Sequence, residues 1–308
     1  MNWNRFRPWA VQALLLASCL FAAAAAPVWA QDDDEIDPAY VEWLRQSYVK
    51  YEAEIPMRDG VRLWTAIFVP TDTTQKYPIL MRRTPYRVDP YGASQYPEGL
   101  GPSETLARSK YIFVYQDVRG THMSEGTFVN MTPHVPDKQG PEDVDESTDT
   151  YDTIEWLLAN VPNHNGKVGQ WGISYPGFYA AAGMIDSHPA LEAVSPQAPI
   201  ADWWFDDFHH HGAFFLPHTF NFFASFGIPR EGPTTERNER FDHGTPDGYS
   251  FFLNVGPLKN LEEKLEEPIP FWTEATQHPN YDEFWQKRNL LPHLKNVSAA
   301  VMTVGGWY

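Results

Sequence analysis

Lys167–Ala180 reads KVGQWGISYPGFYA, a serine between glycines at the seam of two different patterns. Before it runs a short apolar stretch of strand character; after it FYAAAGMIDS is rich in alanine and reads as a helix. A nucleophilic serine needs its hydroxyl lifted above a sheet edge, near a base and near backbone N–H donors. A sharp strand-to-helix turn does this, and its tightness calls for small residues on both sides. Gly172-Ile173-Ser174-Tyr175-Pro176-Gly177 is one residue longer than the five-residue G-x-S-x-G elbow. Pro176 suits a first helical turn, where its missing N–H costs least. The helix N-terminus behind Ser174 favours developing negative charge, and the Tyr175 backbone N–H is the natural first oxyanion donor. Ser174 is the candidate nucleophile; a glycine-flanked serine in an ordinary strand-to-helix loop is the plain alternative.

The surrounding chain reads as an α/β domain. YVKYEAEIPMRDGVRLWTAIFVP alternates on both sides of Asp59-Gly60, a hairpin signature. YPILMRRTPY and YIFVYQDVRG are strands that end in polar loops, and STDTYDTIEWLLANV is helical with Ile154, Leu157 and Leu158 on its apolar face. ALEAVSPQAP is a further strand. Strands alternating with helices predict a mostly parallel sheet. After Trp203 the texture changes to aromatic-rich helical pieces broken by Pro and Gly, an expected inserted helical cap. NVSAAVMTVGG then returns to a buried-strand pattern. The organisation expected is residues 1–30 a signal peptide, 31–203 the first part of the core with the elbow, 204–293 the cap and 294–308 a late core strand.

The 308 residues carry a formal charge of −17, which argues against nucleic acid as a partner. At the N-terminus Arg5 and Arg7 precede an apolar run, Val28-Trp29-Ala30 offers a cleavage site and QDDDE follows, the layout of a secretory signal. Cleavage after Ala30 removes two arginines and no acids, leaving a mature charge of about −19 in a periplasmic or secreted protein. The only cysteine, Cys19, lies in the signal; Leu16-Ala17-Ser18-Cys19 resembles a lipoprotein box, so lipidation there is the alternative. The mature chain has no disulfide to rely on. No later stretch is long and apolar enough to span a bilayer.

GQWGISYPGFYAAAGMIDSHPAL resembles the nucleophile region of the X-Pro dipeptidyl-peptidase-like family of α/β-hydrolases, to which cocaine esterase and the α-amino acid ester hydrolases belong. MRDGVRL, RTPY, YQDVRG, STDTYDTIEWL and DDFHHHGAF extend the resemblance over most of residues 48–308. It implies an α/β-hydrolase core, Ser174 as nucleophile, the Tyr175 backbone as one oxyanion donor and the Tyr86 hydroxyl as the second. A phenol suits that role because its O–H points at an alkoxide without carrying charge. Read alone, Tyr86 is a packed loop aromatic. The resemblance also implies small ester, amide or short-peptide substrates, no cofactor, and Asp207, or its neighbour Asp206, as part of a carboxylate cluster that grips a substrate ammonium. A solvated acidic loop is the alternative for that pair.

Serine needs a histidine base held by a carboxylate, and in this fold the chain order is Ser, acid, His. The resemblance places the acid just beyond Tyr308 and the base further on, with a C-terminal jelly-roll after them, so the expectation is a truncated chain, inactive alone. His209, His210 and His211 beside Asp206 and Asp207 invite a metal reading, but adjacent histidines seldom share one ion and no His-x-x-x-His spacing backs them. They are read as polar residues of a cap helix, with no metal, and His122 and His188 as structural. Asp117, Arg119 and Glu125 are read as an internal ion pair bracing the elbow, Asp149 and Asp152 as helix support. The expected function is an exported serine hydrolase working through an acyl-enzyme; the alternatives are an acyltransferase using the same intermediate or an inactive binding module.

Overall fold

In the structure, a computed structural model, residues 37–265 and 267–306 are described. The signal peptide expected at 1–30 with Cys19, the acidic 32–35 and the last two residues lie outside them. Among the described residues no helix is long and apolar enough to cross a membrane.

Seven strands form one sheet. β1 (Tyr48–Pro56) and β2 (Arg62–Pro70) make the expected antiparallel hairpin, in register from Tyr48↔Pro70 to Pro56↔Arg62, and Gly60 at φ 87° supplies the turn's left-handed position. β3 (Tyr77–Thr84), β4 (Ile112–Asp117), β5 (His164–Ile173), β6 (Leu191–Gln197) and β9 (Ala300–Val301) complete it in the order β1-β2-β4-β3-β5-β6-β9. The last five are mutually parallel. The sheet is thus mostly parallel, as the alternation of strands and helices predicts.

α1 (Pro38–Ser47) and the short α2 (Glu104–Arg108) sit on one face, where Leu44, Tyr48, Phe68 and Phe113 pack together. α3 (Glu146–Asn160) and α4 (Tyr175–Gly183) cover the other. α3 starts where Asp145 and Thr148 close a reciprocal cap, the Thr148 N–H donating to Asp145 Oδ1 at 3.0 Å and the Asp145 N–H to Thr148 Oγ1 at 2.9 Å. Beneath α3 the fully buried Arg83 donates to Gln116 Oε1 (2.7 Å) and Glu146 Oε2 (2.9 Å), with Asp149 at 3.5 Å, so its charge is paired inside the core.

Residues 204–293 add a π-helical turn (Trp204–Phe208), α5 (Leu216–Phe223), α6 (Gly248–Val255), α7 (Pro270–Gln277) and α8 (Glu283–Gln286), with 3-10 turns at Leu258–Lys264 and Leu291–His293. Trp203, Phe208, Phe223, Phe271 and Trp285 make their core continuous with that under α4. Two readings need correction. The histidine run is not helical: His209–His210 (β7) and Ala213–Phe214 (β8) form a two-residue ribbon, because His211 (φ 53°) and Gly212 (φ 85°) make the doubly left-handed turn that a tight hairpin uses. The last strand is not buried either. β9 is two residues long at the sheet edge, with Val301, Met302 and Val304 between 42% and 62% exposed. A run of apolar residues signals a strand, but burial depends on what packs over it, and among the described residues nothing covers this edge.

Candidate active site

Ser174 stands at the junction of β5 and α4 with φ 63° and ψ −123°, a conformation that costs energy for a residue with a Cβ. Close packing holds it there. A Cβ on Gly172 would lie 2.1 Å from the Pro176 carbonyl oxygen, and one on Gly177 2.7 Å from that of Gln197. The Ser174 N–H donates to the Gln197 carbonyl at 2.9 Å, and its own carbonyl accepts from Phe178 N–H at 3.1 Å. The serine itself is exposed. The extra residue before the second glycine is absorbed into the first turn of α4, where Pro176 sits.

The Tyr175 side chain is an anchor. Fully buried, its hydroxyl donates to Asn130 Oδ1 (3.1 Å) and accepts from the Met131 N–H (2.8 Å). Its backbone N–H lies in the first turn of α4, directly after Ser174, where helix N–H groups have no partner within the helix.

Tyr86 follows β3, 42% exposed, its ring 6.2 Å from that of Tyr175 at 89° and 5.6 Å from Phe226. Burial, with the Asp207 carboxylate as a second cause, pushes its phenol up to about 12, so at neutral pH it stays a donor. Two strand ends thus bring Ser174, the Tyr175 N–H and Tyr86 to one rim of the sheet.

Asp117, wholly buried at the end of β4, braces the Tyr86 loop: it accepts from the Val88 N–H (3.0 Å), the Tyr91 hydroxyl (2.9 Å) and the Met123 N–H (3.2 Å). Burial pushes its carboxyl up to about 7. The ion pair expected within Asp117, Arg119 and Glu125 does not form. Arg119 reaches instead to Asp59 (2.6 Å) and Asp149 (2.7 Å), and Glu125 pairs with Arg62, tying the hairpin to α3. Asp152 pairs with Arg58 at 2.7 Å.

The two candidate substrate carboxylates differ. Asp206 Oδ2 accepts from the N–H groups of Ala201 (2.7 Å) and Asp202 (2.9 Å), so it closes its own turn. Asp207 Oδ2 accepts from Trp203 Nε1 at 2.8 Å, while Oδ1 lies 3.7 Å from His218 Nε2. Burial raises the Asp207 carboxyl, with the His218 charge opposing. Trp203 and His218 escaped the sequence reading. Trp203, four residues before Asp207, offered an indole N–H at helical spacing; for His218 the sequence held no signal.

Of the histidines weighed in the sequence, His122, His188, His209 and His210 are engaged elsewhere. His122 Nε2 lies 3.0 Å from the Pro85 carbonyl, His188 Nε2 2.8 Å from Glu155, His210 Nε2 3.3 Å from the Asp206 carbonyl, and His209 stacks on Trp204 at 3.4 Å. Among the described residues no group of three or more His, Cys, Asp or Glu could hold a metal ion.

Residues 59–308 match the profile of the X-Pro dipeptidyl-peptidase (S15) family. Cocaine esterase of Rhodococcus sp. (strain MB1 Bresler) is 28% identical over 269 residues, 82% of this chain and 43% of the esterase. Two solved structures are each 34% identical to this chain. An aminopeptidase from the marine sediment archaeon Thaumarchaeota archaeon superposes with a TM-score of 0.74 over 85% of this chain and 43% of its own. An α-amino acid ester hydrolase does so at 0.73 over 84% and 42%. The sheet and its helices are those of an α/β-hydrolase, and the chain spans less than half the length of these three relatives.

Proposed function

The chain belongs to the X-Pro dipeptidyl-peptidase (S15) family of esterases and peptidases, and from that premise we propose that it is the nucleophile-bearing part of an exported serine hydrolase acting through an acyl-enzyme. Ser174 attacks the ester or amide carbonyl; the Tyr175 N–H and the Tyr86 hydroxyl receive the oxyanion; Asp207 meets a positively charged substrate amine. The observation that carries this reading is the strained Ser174 backbone at φ 63°, locked between glycines that tolerate no Cβ. Strain of that kind persists where chemistry uses it.

We assign the acid and base of this reaction to no described residue. His122, His188, His210 and His218 have other partners, and the chain covers 43% of its esterase relative. An aspartate holds the histidine, which takes the serine proton and returns it to the leaving group. The signal-like residues 1–30 support a periplasmic or secreted location. Asp206, spent on backbone N–H groups, is left out of the proposed site.

A fluorophosphonate ester tests the reading directly. The full-length form is expected to be labelled at Ser174, and Ser174→Ala to lose label and ~10⁶ of the ester turnover while keeping its fold. Residues 31–308 alone are expected to show negligible turnover. Label on another residue, or turnover kept within tenfold in Ser174→Ala, sinks the assignment. Acyl transfer to an added amine in preference to water would redefine the enzyme as a transferase.

A further inference from the structure

Arg82 and Arg83 are neighbours on β3 and point to opposite faces of the sheet. Arg83 is paired under α3. Arg82 is not: among the described residues no carboxylate lies within ion-pair distance of it, and its buried Nε has no acceptor. Its guanidinium carbon lies 5.2 Å from the ring centroid of Trp171 on β5, whose buried Nε1 also lacks an acceptor. Two donors on adjacent strands therefore face the same side with nothing to donate to. A buried donor without an acceptor is destabilising.

Arg82 lines a cavity of about 210 Å³ between the sheet and the loop that follows β3, together with Lys50, Phe68, Arg87, Asp89 and Tyr115. The other two cations are matched. Lys50 Nζ donates to the carbonyls of Pro90 (2.6 Å) and Gly92 (3.0 Å) and lies 2.9 Å from Glu52. Arg87 pairs with Asp89 at 2.7 Å, and Arg237 from outside the cavity shares that carboxylate at 2.5 Å. Lys50, Arg82, Arg87 and Arg237 against Glu52 and Asp89 leave two positive charges, in a chain whose net charge is −17. Burial holds the Arg82 guanidinium below its usual range, as expected where no anion repays desolvation.

We infer that this cavity binds a small oxyanion, a carboxylate or a phosphate, through the forked donors of Arg82. A guanidinium presents paired N–H groups to a planar or tetrahedral oxyanion and accepts nothing, so water satisfies it less well than charge does. The bound ion would lie beneath residues 84–90, the loop that carries Tyr86, and its occupancy would tie that loop to the sheet. The inference does not depend on the proposed reaction.

The test is thermal unfolding and titration calorimetry of the full chain at fixed ionic strength, with chloride replaced stepwise by acetate or by inorganic phosphate. A saturable rise in melting temperature is expected with at least one of the two. Acetate alone assigns a carboxylate site, phosphate alone a phosphate site. Arg82→Gln is expected to remove the rise, and Arg82→Lys, which keeps the charge but loses the fork, to weaken binding at least tenfold. In chloride, Arg82→Met is expected to melt no lower than the parent, because the charge it removes has no partner. Absence of a saturable rise overturns the proposal. So does an equal rise in the parent and in Arg82→Gln or, should that variant not fold, in Arg82→Lys, since the ion would then be adventitious.

Discussion

The elbow at Ser174 and the aromatic segment 204–293 hold their shapes by different means. The elbow is backbone against backbone: Gly172 against the Pro176 carbonyl, Gly177 against that of Gln197, the Ser174 N–H on Gln197. The later segment is ring against ring, with Trp203 5.1 Å from Phe208 and Phe271, and Phe223 5.2 Å from Phe271. A backbone junction has one solution, so its geometry can position a reacting atom. Ring packing tolerates shape-conserving exchange, so it suits the wall that selects a substrate. Changes at the elbow should therefore strike rate, and changes around Asp207 should strike preference.

The most severe break is Gly172→Ala. Its Cβ would meet backbone at 2.1 Å, so β5 and α4 must separate. A loss of stability of on the order of 3 kcal/mol or more is expected by chemical denaturation. The folded fraction of the full-length enzyme should react with fluorophosphonate at least ~10²-fold more slowly, since Ser174 is displaced. Unchanged labelling would mean that the junction is looser than its packing requires.

Tyr86→Phe sharpens the same contrast from the opposite strand end. It deletes one donor and little volume, so kcat of the full-length enzyme is expected to fall ~10²–10³ with KM nearly constant. A change confined to KM would make the hydroxyl a substrate contact.

Asp117 links the rim to pH. Its carboxyl titrates near 3.8 unfolded and is pushed up to about 7 by burial, so the folded state holds the extra proton. The stability this proton contributes is complete below about pH 4 and lost as pH rises through 7. The stability difference between parent and Asp117→Asn should accordingly shrink by on the order of 2–4 kcal/mol between pH 4 and 7. A difference that grows over that interval would mean that the three hydrogen bonds outweigh burial and hold the group ionised.

Much of this is legible in the sequence alone. Alternation around Asp59-Gly60 gives the hairpin, the apolar runs give β3 to β6, and Gly172, Pro176 and Gly177 around Ser174 give the elbow, because each depends on local backbone rules. Tyr86 could be placed only by resemblance to a family, since a loop tyrosine has no local signature. The partners of Arg119, the idle Arg82 and the proximity of His218 to Asp207 join residues from different elements, and no periodicity encodes such pairs. The histidine ribbon departs from the helix its aromatic neighbours suggest, because the left-handed pair His211-Gly212 decides it locally.

The smallest expected effect concerns Asp207, where the wall meets the rim. One of its oxygens is held by Trp203 Nε1 and the other has only His218 at 3.7 Å, so a substrate ammonium can approach the second. The carboxylate is half-buried, where a charge-assisted contact is worth more than on an open surface. In the full-length enzyme an ester with a free α-amino group should therefore be preferred over its N-acetyl counterpart. Asp207→Asn keeps the shape and removes the charge, so it should cost the amino ester ~1–3 kcal/mol in kcat/KM and leave the N-acetyl ester nearly unchanged. Equal losses for the two esters would make Asp207 a brace for Trp203 rather than a substrate contact. A parent enzyme without any preference would move the substrate class toward simple esters and separate this wall from the chemistry of charge altogether.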